Sequence, residues 1–291
     1  GRGYQITATP APGYLFSNWT GQLSTELRTL SFLMQSNLVL QVNFLPNPFR
    51  QVNGTFNGLF SEDVVVRHAS SGEFRMRVTP TGKYTASLRL AGKRYAAAGL
   101  LDLTGRATNT LLRTDGTPLT VRWVVNLQGL DQVTGTLTDG SWTASLFGTR
   151  AVYHALTNRA PMAGRHTVVL AGSGPPGLDL GDGWATLTVN PAGVGVLAGS
   201  LADGTRVTRS APVSKDGEWP LFAGLYAQAG SILGWVRFDT NHPLNDLQGQ
   251  PYWFRPPLAG SAFYPAGFTH QPVLAGSRYL APTNSQNNLI A

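Results

Sequence analysis

Hydrophobic and polar residues alternate along most of the chain with a period of two. Residues 74–78 place Phe74, Met76 and Val78 on one face, and residues 119–125 repeat the pattern. Successive side chains of a β-strand point to opposite faces, so each run predicts a strand with one buried face. The runs have strand length and end at turn sequences such as Asp-Gly and Pro-x-Gly, which favour tight chain reversals. Because helical periodicity is nearly absent, the pattern predicts an all-β protein built of antiparallel meanders.

The same series of strands and turns occurs twice. Residues 72–82 and 183–193 align at an offset of 111 residues and share Val, Pro and Gly at the same places. Three glycine pairs keep this register, at offsets of 110, 111 and 112 residues: Gly54 with Gly164, Gly82 with Gly193, and Gly105 with Gly217. Any two glycine-rich meanders share some turns, but a shared register favours duplication. We therefore predict one topology for residues 54–155 and 164–265, as two related barrels or sandwiches in tandem.

Residues 1–48 differ in character from the rest of the chain. They carry Ala-x-Pro at 8–10, Gly-Tyr-x-Phe-x-x-Trp-x-Gly at 13–21, Met-x-x-Asn at 34–37 and Val-x-Phe at 42–44. These motifs resemble the divergent internalin-B-type B-repeat of bacterial surface proteins. The resemblance implies a small β-rich spacer module of an extracellular multidomain protein, with no catalytic residues. The remainder looks like the glycine-rich β-domains of large exported bacterial proteins.

These observations divide the chain into four parts. We expect a B-repeat-like module at 1–48, a first β-meander at 49–160, a second at 161–270, and a linker or the start of a further segment at 271–291. The chain has no initiator Met, and residues 282–288 are polar. We therefore expect a processed or excised piece of a larger protein.

Composition and charge narrow the classes of partner. The chain has 22 basic and 15 acidic residues, a net charge of +7 and a pI near 10.0, which suits an anionic partner. The charges are spread without a basic run, so we do not expect nucleic-acid binding. No run of 18 apolar residues occurs, which argues against a membrane-spanning helix. The absence of cysteine excludes disulfides, thiolate metal sites and cysteine nucleophiles.

Four arginines are candidates for a partner site. They each lie opposite the apolar face of a predicted strand: Arg75, Arg77, Arg89 and Arg122. We predict that they share an exterior face of the first barrel and bind an acidic polymer or an acidic protein surface. The alternative is that they only solubilise the sheet exterior and protect strand edges.

Aromatic residues near the end of the second meander suggest a carbohydrate site. Tyr252, Trp253 and Phe254 are consecutive, and flat aromatic faces can stack on sugar rings. The alternative is that these side chains close the core of the second barrel or seal it against the first, because small barrels need large interior residues.

One loop is a weak candidate for a calcium site, and the sequence contains no catalytic motif. Oxygen ligands crowd one loop, at Asp239, Asn241, Asn245 and Asp246, but without the spacing of a known calcium loop. An ordinary polar loop is the alternative. The five histidines are scattered and only four glutamates occur, so we predict no catalytic residues, no metal and no cofactor.

The predicted function is a non-catalytic structural or interaction segment of a larger extracellular or cell-surface bacterial protein. Its partner would be a protein or a polysaccharide at the cell surface, as expected of a secreted or adhesive structural protein. The alternatives are a glycan-binding module and an accessory domain of a secreted hydrolase. The pattern does not fix an oligomeric state.

Overall fold

The computed structural model describes residues 1–114, 116–172, 180–239 and 246–279, and its regular structure is nearly all antiparallel β-strand. The all-β prediction is confirmed. The helical elements of these residues are three single turns of 3-10 helix: Pro48–Arg50, His68–Ser70 and Tyr226–Gln228. Over the same ranges, no helix has the length and apolar character that crossing a membrane requires.

Two small sheets form the first module. Its strands are β1 (Gly3–Thr7), β2 (Tyr14–Gly21), β3 (Thr29–Leu33) and β4 (Leu40–Pro46). β1 pairs with β3 and β2 pairs with β4, both antiparallel. Trp19 on β2 is buried in a cluster with Ala8 and Leu30. A large aromatic side chain supplies much of the apolar area that so small a module can bury.

An eight-stranded sheet follows. Its strands are β5 (Gly54–Ser61), β6 (Gly72–Val78), β7 (Lys83–Leu90), β8 (Lys93–Leu100), β9 (Arg106–Leu111), β10 (Leu119–Val125), β11 (Gln132–Thr138) and β12 (Thr143–Arg150). Their order in the sheet is β8-β7-β6-β5-β12-β11-β10-β9, so the first and last strands pair. Because β8 and β9, at the two ends of the sheet, also lie beside each other, the sheet forms a nearly closed barrel.

One face of each strand fills the interior of this first barrel. Phe74, Met76 and Val78, which the alternation predicts on one face, are all buried. The Phe74 ring packs edge-on against Trp123 of β10, with 5.4 Å between ring centroids. Phe49, from the 3-10 turn after β4, belongs to the same core. Leu15 of β2 packs against this core as well, so a side chain of the first module, and not only the chain itself, joins it to the first barrel.

A second barrel repeats this topology. Its strands are β13 (Gly164–Ala171), β14 (Gly183–Val189), β15 (Val194–Ser200), β16 (Arg206–Pro212), β17 (Glu218–Leu225), β18 (Gly230–Phe238), β19 (Leu247–Gly249), β20 (Tyr252–Arg255), β21 (Phe268–His270) and β22 (Val273–Arg278). The order is β16-β15-β14-β13-β22-β19-β18, and β17 pairs with β18. Without β20 and β21, which extend from β18, this is the order of the first barrel with β22 in the place of β12.

The turns match as closely as the strands. Gly82 and Gly193 have positive φ angles of 79° and 77°, a conformation that glycine adopts without steric cost. The N–H of each donates to the C=O three residues earlier, at 3.0 and 2.9 Å. The C=O of each accepts the N–H of Leu101 or Val213, at 2.9 and 2.8 Å. The prediction of two related barrels in tandem is confirmed.

The second barrel extends beyond its predicted end. Its eighth strand is β22, because β20 and β21 are inserted before it, so a repeat ending at residue 265 omits this strand. Arg278 on β22 donates to the C=O of Ala163 at 2.8 Å, as Arg150 on β12 donates to that of Asn53 at 2.9 Å. The stretch predicted as a linker from residue 271 therefore contains a core strand, on which Leu274 is buried.

The two barrels contact each other through apolar and charged groups. A buried cluster joins Leu59 of the first barrel to Phe222 and Leu233 of the second. Two ion pairs also join the barrels: Glu73 with Arg209 at 2.5 Å, and Asp131 with Lys215 at 3.0 Å. The outer face of β5 is therefore partly covered, and the space beside this contact becomes a groove.

Candidate functional site

The structure brings three of the four candidate arginines together. Arg75 and Arg77 lie on the outer face of β6, and Arg89 lies on the adjacent strand β7. Arg122 is also exposed, but it lies on β10, four strands from β6 in a sheet of eight. The predicted face of four arginines is therefore divided, because alternation fixes which side of a strand faces outward but not where the strand lies around a barrel.

A groove of about 440 Å³ runs between the outer face of β5–β8 and the second barrel. We call it the arginine groove. Its charged and amide side chains are Asn57, Glu73, Arg75, Arg89, Arg94 and Arg209. Arg94 on β8 and Arg209 on β16 were missed in the sequence, where nothing marks them as neighbours of β6.

One carboxylate serves two of the four guanidinium groups. Glu73 Oε2 lies 2.5 Å from Arg209 Nη2, and Glu73 Oε1 lies 3.5 Å from Arg89 Nε. Arg75 and Arg94 have no acidic partner within the ranges that the structure describes. The groove therefore carries an excess of positive charge, and two of its arginines remain available to a ligand.

Asn57 adds an unused hydrogen-bond donor. It lies on β5, directly opposite Arg75 in the sheet, and it lines the groove. The side chain is 9% exposed, and its Nδ2 has no hydrogen-bond partner among the described residues. A buried donor without a partner costs about 1–3 kcal/mol, so this amide is poised to donate to a ligand oxygen.

The predicted carbohydrate site at residues 252–254 lacks the exposed aromatic faces that stacking on a sugar ring requires. Trp253 is 3% exposed within the core of the second barrel, and its Nε1 donates to the Tyr226 hydroxyl at 2.9 Å. Phe254 is also buried, 6.2 Å from the ring of His68, and only Tyr252 is partly exposed. A sugar ring cannot stack on buried faces: Trp253 lies in the core of the second barrel, and Phe254 lies against His68 of the first barrel.

The structure describes only part of the predicted calcium loop. Asn241 and Asn245 lie outside the described residues. The N–H of Asp239 donates to the C=O of Asp246 at 2.8 Å, and the Asp246 carboxylate accepts the backbone N–H of Arg278. Among residues 1–114, 116–172, 180–239 and 246–279, no three acidic or histidine side chains group as metal ligands.

Comparison with known proteins bears on the first module. Residues 1–48 match the family model of the divergent InlB B-repeat domain. The match confirms the resemblance seen in the sequence motifs and covers the strands β1–β4. No curated protein matches the chain. The B-repeat family is a structural repeat domain of bacterial surface proteins and not an enzyme family.

Proposed function

We propose that the protein is a non-catalytic structural and interaction segment of a larger extracellular or cell-surface bacterial protein. The observation that carries the proposal is the match of residues 1–48 to the B-repeat domain family, since this is a structural repeat of bacterial surface proteins. Such a module preceding the two barrels is suited to holding them away from the cell and presenting their surfaces.

The build of the remaining chain supports this role. Both barrels have interiors filled with side chains, so they offer outer faces and grooves rather than a lumen. The ion pairs and apolar cluster between the barrels restrict their relative movement. The amide of Asn47 donates to the C=O of Pro80 at 2.8 Å, which links the B-repeat domain to the first barrel. Linked modules of this kind hold a binding surface in a defined position.

Labelling of intact cells tests the proposed location. Antibodies raised against the chain should label intact cells of the organism that encodes it, or detect the protein in the medium. Labelling that requires permeabilised cells would contradict a surface or secreted location.

Turnover assays test the non-catalytic part of the proposal. The purified chain should release no product from glycans or peptides. Hydrolysis that disappears when one carboxylate is replaced would establish an enzyme instead.

A glycan-binding module is the second candidate function. The buried positions of Trp253 and Phe254 remove the aromatic basis for it. The arginine groove, with its free guanidinium groups and its unpartnered amide, is the observation that favours it on other grounds.

A further inference from the structure

We propose that the arginine groove binds an acidic polysaccharide through the carboxylate or sulfate groups of its sugars. The proposal gives a ligand class to the interaction segment described above and rests on that function, but its test is independent of where the protein is located.

The charge arrangement is the first argument. Four guanidinium groups and one carboxylate line the groove, and the carboxylate is already bound by Arg89 and Arg209. Guanidinium groups bind planar oxyanions through paired, charge-assisted N–H···O bonds. Arg75 on β6 and Arg94 on β8 are exposed and have no acidic partner within the described part of the chain. An oxyanion in the groove would find both of these donors unoccupied.

The unpartnered amide of Asn57 is the second argument, and it is independent of the arginines. Its Nδ2 is a donor only, and a buried donor without an acceptor is rare in folded proteins. None of the described groove residues accepts a hydrogen bond from this donor, and the open groove beside it gives access to an acceptor from outside the protein. A ligand oxygen supplies that acceptor.

The other lining groups favour a saccharide over a protein surface. Thr55, Ser87 and Ser210 supply hydroxyls, and the apolar lining consists of small side chains such as Ala151 and Ala211. The buried centres of protein interfaces are enriched in aromatic residues, and no aromatic residue lines this groove. The volume of about 440 Å³ falls in the range of small-ligand sites, roughly 300–1,000 Å³. A folded protein surface would not enter such a space, whereas a few sugar residues would.

The groove also has a continuation along the outer sheet. A neighbouring depression of about 290 Å³ shares Thr55, Arg75 and Ser87 with it and adds Arg77 and Thr85. In the sheet, Arg77 lies opposite Thr55 on one side and Thr85 on the other. Arg77 is therefore placed to bind the next charged sugar of a chain that leaves the groove, so a polymer should bind more tightly than its monomer.

The experiment measures binding of the full chain to three defined polysaccharides, and to polyglutamate as an acidic polypeptide, by titration calorimetry at 0.1 M salt. Polygalacturonate presents carboxylates, dextran sulfate presents sulfates, and neutral dextran presents neither. The variant R75Q/R94Q removes the two unpaired arginines, and N57L removes the amide donor while keeping a branched side chain with the same number of heavy atoms. The variant R122Q/R165Q is the matched control, because it removes the same charge from two exposed arginines outside the groove.

We expect at least one acidic polymer to bind while neutral dextran does not, and the binding to weaken as salt is added. R75Q/R94Q should weaken it at least about tenfold, because it removes two charged hydrogen-bond donors. N57L should weaken it severalfold, and R122Q/R165Q less than twofold. Binding of polygalacturonate would identify carboxylate as the group that the groove recognises, and binding of dextran sulfate would identify sulfate.

Three results would overturn the proposal. The first is the absence of binding to both acidic polymers. The second is an equal loss in the groove variant and in R122Q/R165Q, which would indicate attraction by overall charge. The third is tight binding of polyglutamate with no binding of the polysaccharides, which would assign the groove to an acidic protein segment. None of these results depends on the labelling of intact cells. A wrong ligand class can therefore be distinguished from a wrong location of the protein.

Discussion

Two opposite charges are removed from water together at Asp203 and Arg255. Both side chains are 2% exposed, and Arg255 Nε lies 2.8 Å from Asp203 Oδ2. Arg255 Nη2 donates to Ser261 Oγ and to the C=O of Phe263, each at 2.7 Å, and Nη1 donates to the C=O of Tyr264. The pair therefore holds the insertion after β20 against the barrel. Such a pair adds little net stability over apolar residues, but breaking one half of it is costly.

Removing the acidic half should destabilise the protein strongly. Asp203→Asn keeps the shape of the side chain but leaves the Arg255 charge buried without compensation, so we expect a loss of about 3–5 kcal/mol in the free energy of unfolding. Urea unfolding measures it. Glu62→Gln, in the pair with Arg67, whose own side chain is 58% exposed, is the control and should shift the midpoint much less. Equal effects of the two changes would contradict the account of the buried pair.

The ionisation of the Asp203 carboxylate should make the free energy of unfolding decrease at acidic pH. Burial raises the pKa of Asp203, but hydrogen bonds from Tyr226, Thr205 and Arg255 outweigh it and hold the pKa below its ordinary value of 3.8. A depressed pKa in the folded state contributes stability above the unfolded pKa, and this contribution is lost as the pH falls below that value. Unfolding midpoints between pH 6 and pH 3 should fall less steeply in Asp203→Asn than in the native chain. Parallel curves would refute the assignment.

Trp19 should contribute a comparable amount to the stability of the B-repeat domain. Its ring is 7% exposed, and the fully buried cluster around it adds only Ala8 and Leu30. Truncating a buried aromatic costs about 3–5 kcal/mol, so Trp19→Ala should unfold residues 1–48 while the barrels stay folded. Limited proteolysis of the full chain measures this as selective loss of the first module. Resistance equal to that of the native chain would show that Trp19 is not the core residue.

At the scale of elements, the tight turns set the register of both barrels. An alanine at Gly82 would need a positive φ, and its Cβ would lie 2.6 Å from the Phe49 ring. Gly140 also has a positive φ, of 92°, but a Cβ there would meet nothing within 4 Å. Backbone strain alone costs about 1 kcal/mol, so both changes share that cost and differ in the steric clash.

Gly82→Ala should therefore lower the free energy of unfolding more than Gly140→Ala. We expect about 1 kcal/mol for Gly140→Ala and at least about 2 kcal/mol for Gly82→Ala, since overpacking typically adds 1–3 kcal/mol. Denaturant titration of the two variants measures the difference. If Gly140→Ala were the more damaging, the contact with Phe49 would not be what requires glycine at position 82.

At the scale of the whole molecule, the contact between the barrels couples their folding. Leu59 on β5 faces outward and is buried only because Phe222 and Leu233 of the second barrel cover it. Leu59→Ala should cost roughly 2–5 kcal/mol, mostly at the contact and not inside a barrel. Scanning calorimetry should resolve the barrels into two transitions in this variant, more clearly than in the native chain. An unchanged single transition would mean that the other contacts between the barrels couple them without Leu59.

The sequence determined those features that depend on neighbours along the chain. Alternation assigned Phe74, Met76 and Val78 to the interior and Arg75 and Arg77 to the exterior, because the side-chain period of a strand is a local property. The turn glycines, with their positive φ angles, revealed the duplication for a similarly local reason. The motifs of residues 1–48 identified the B-repeat domain without any knowledge of its packing.

Only the tertiary structure decided which distant residues meet. Arg122 is separated from Arg75 because β10 lies across the barrel, and Arg209 joins the groove because the second barrel packs beside β6. Trp253 is inside because the inserted strand β20 closes over the core. β22 completes the second barrel from beyond its expected boundary. Barrel closure and barrel contact pair residues that are far apart in the chain, and no pattern of neighbouring residues specifies such pairing.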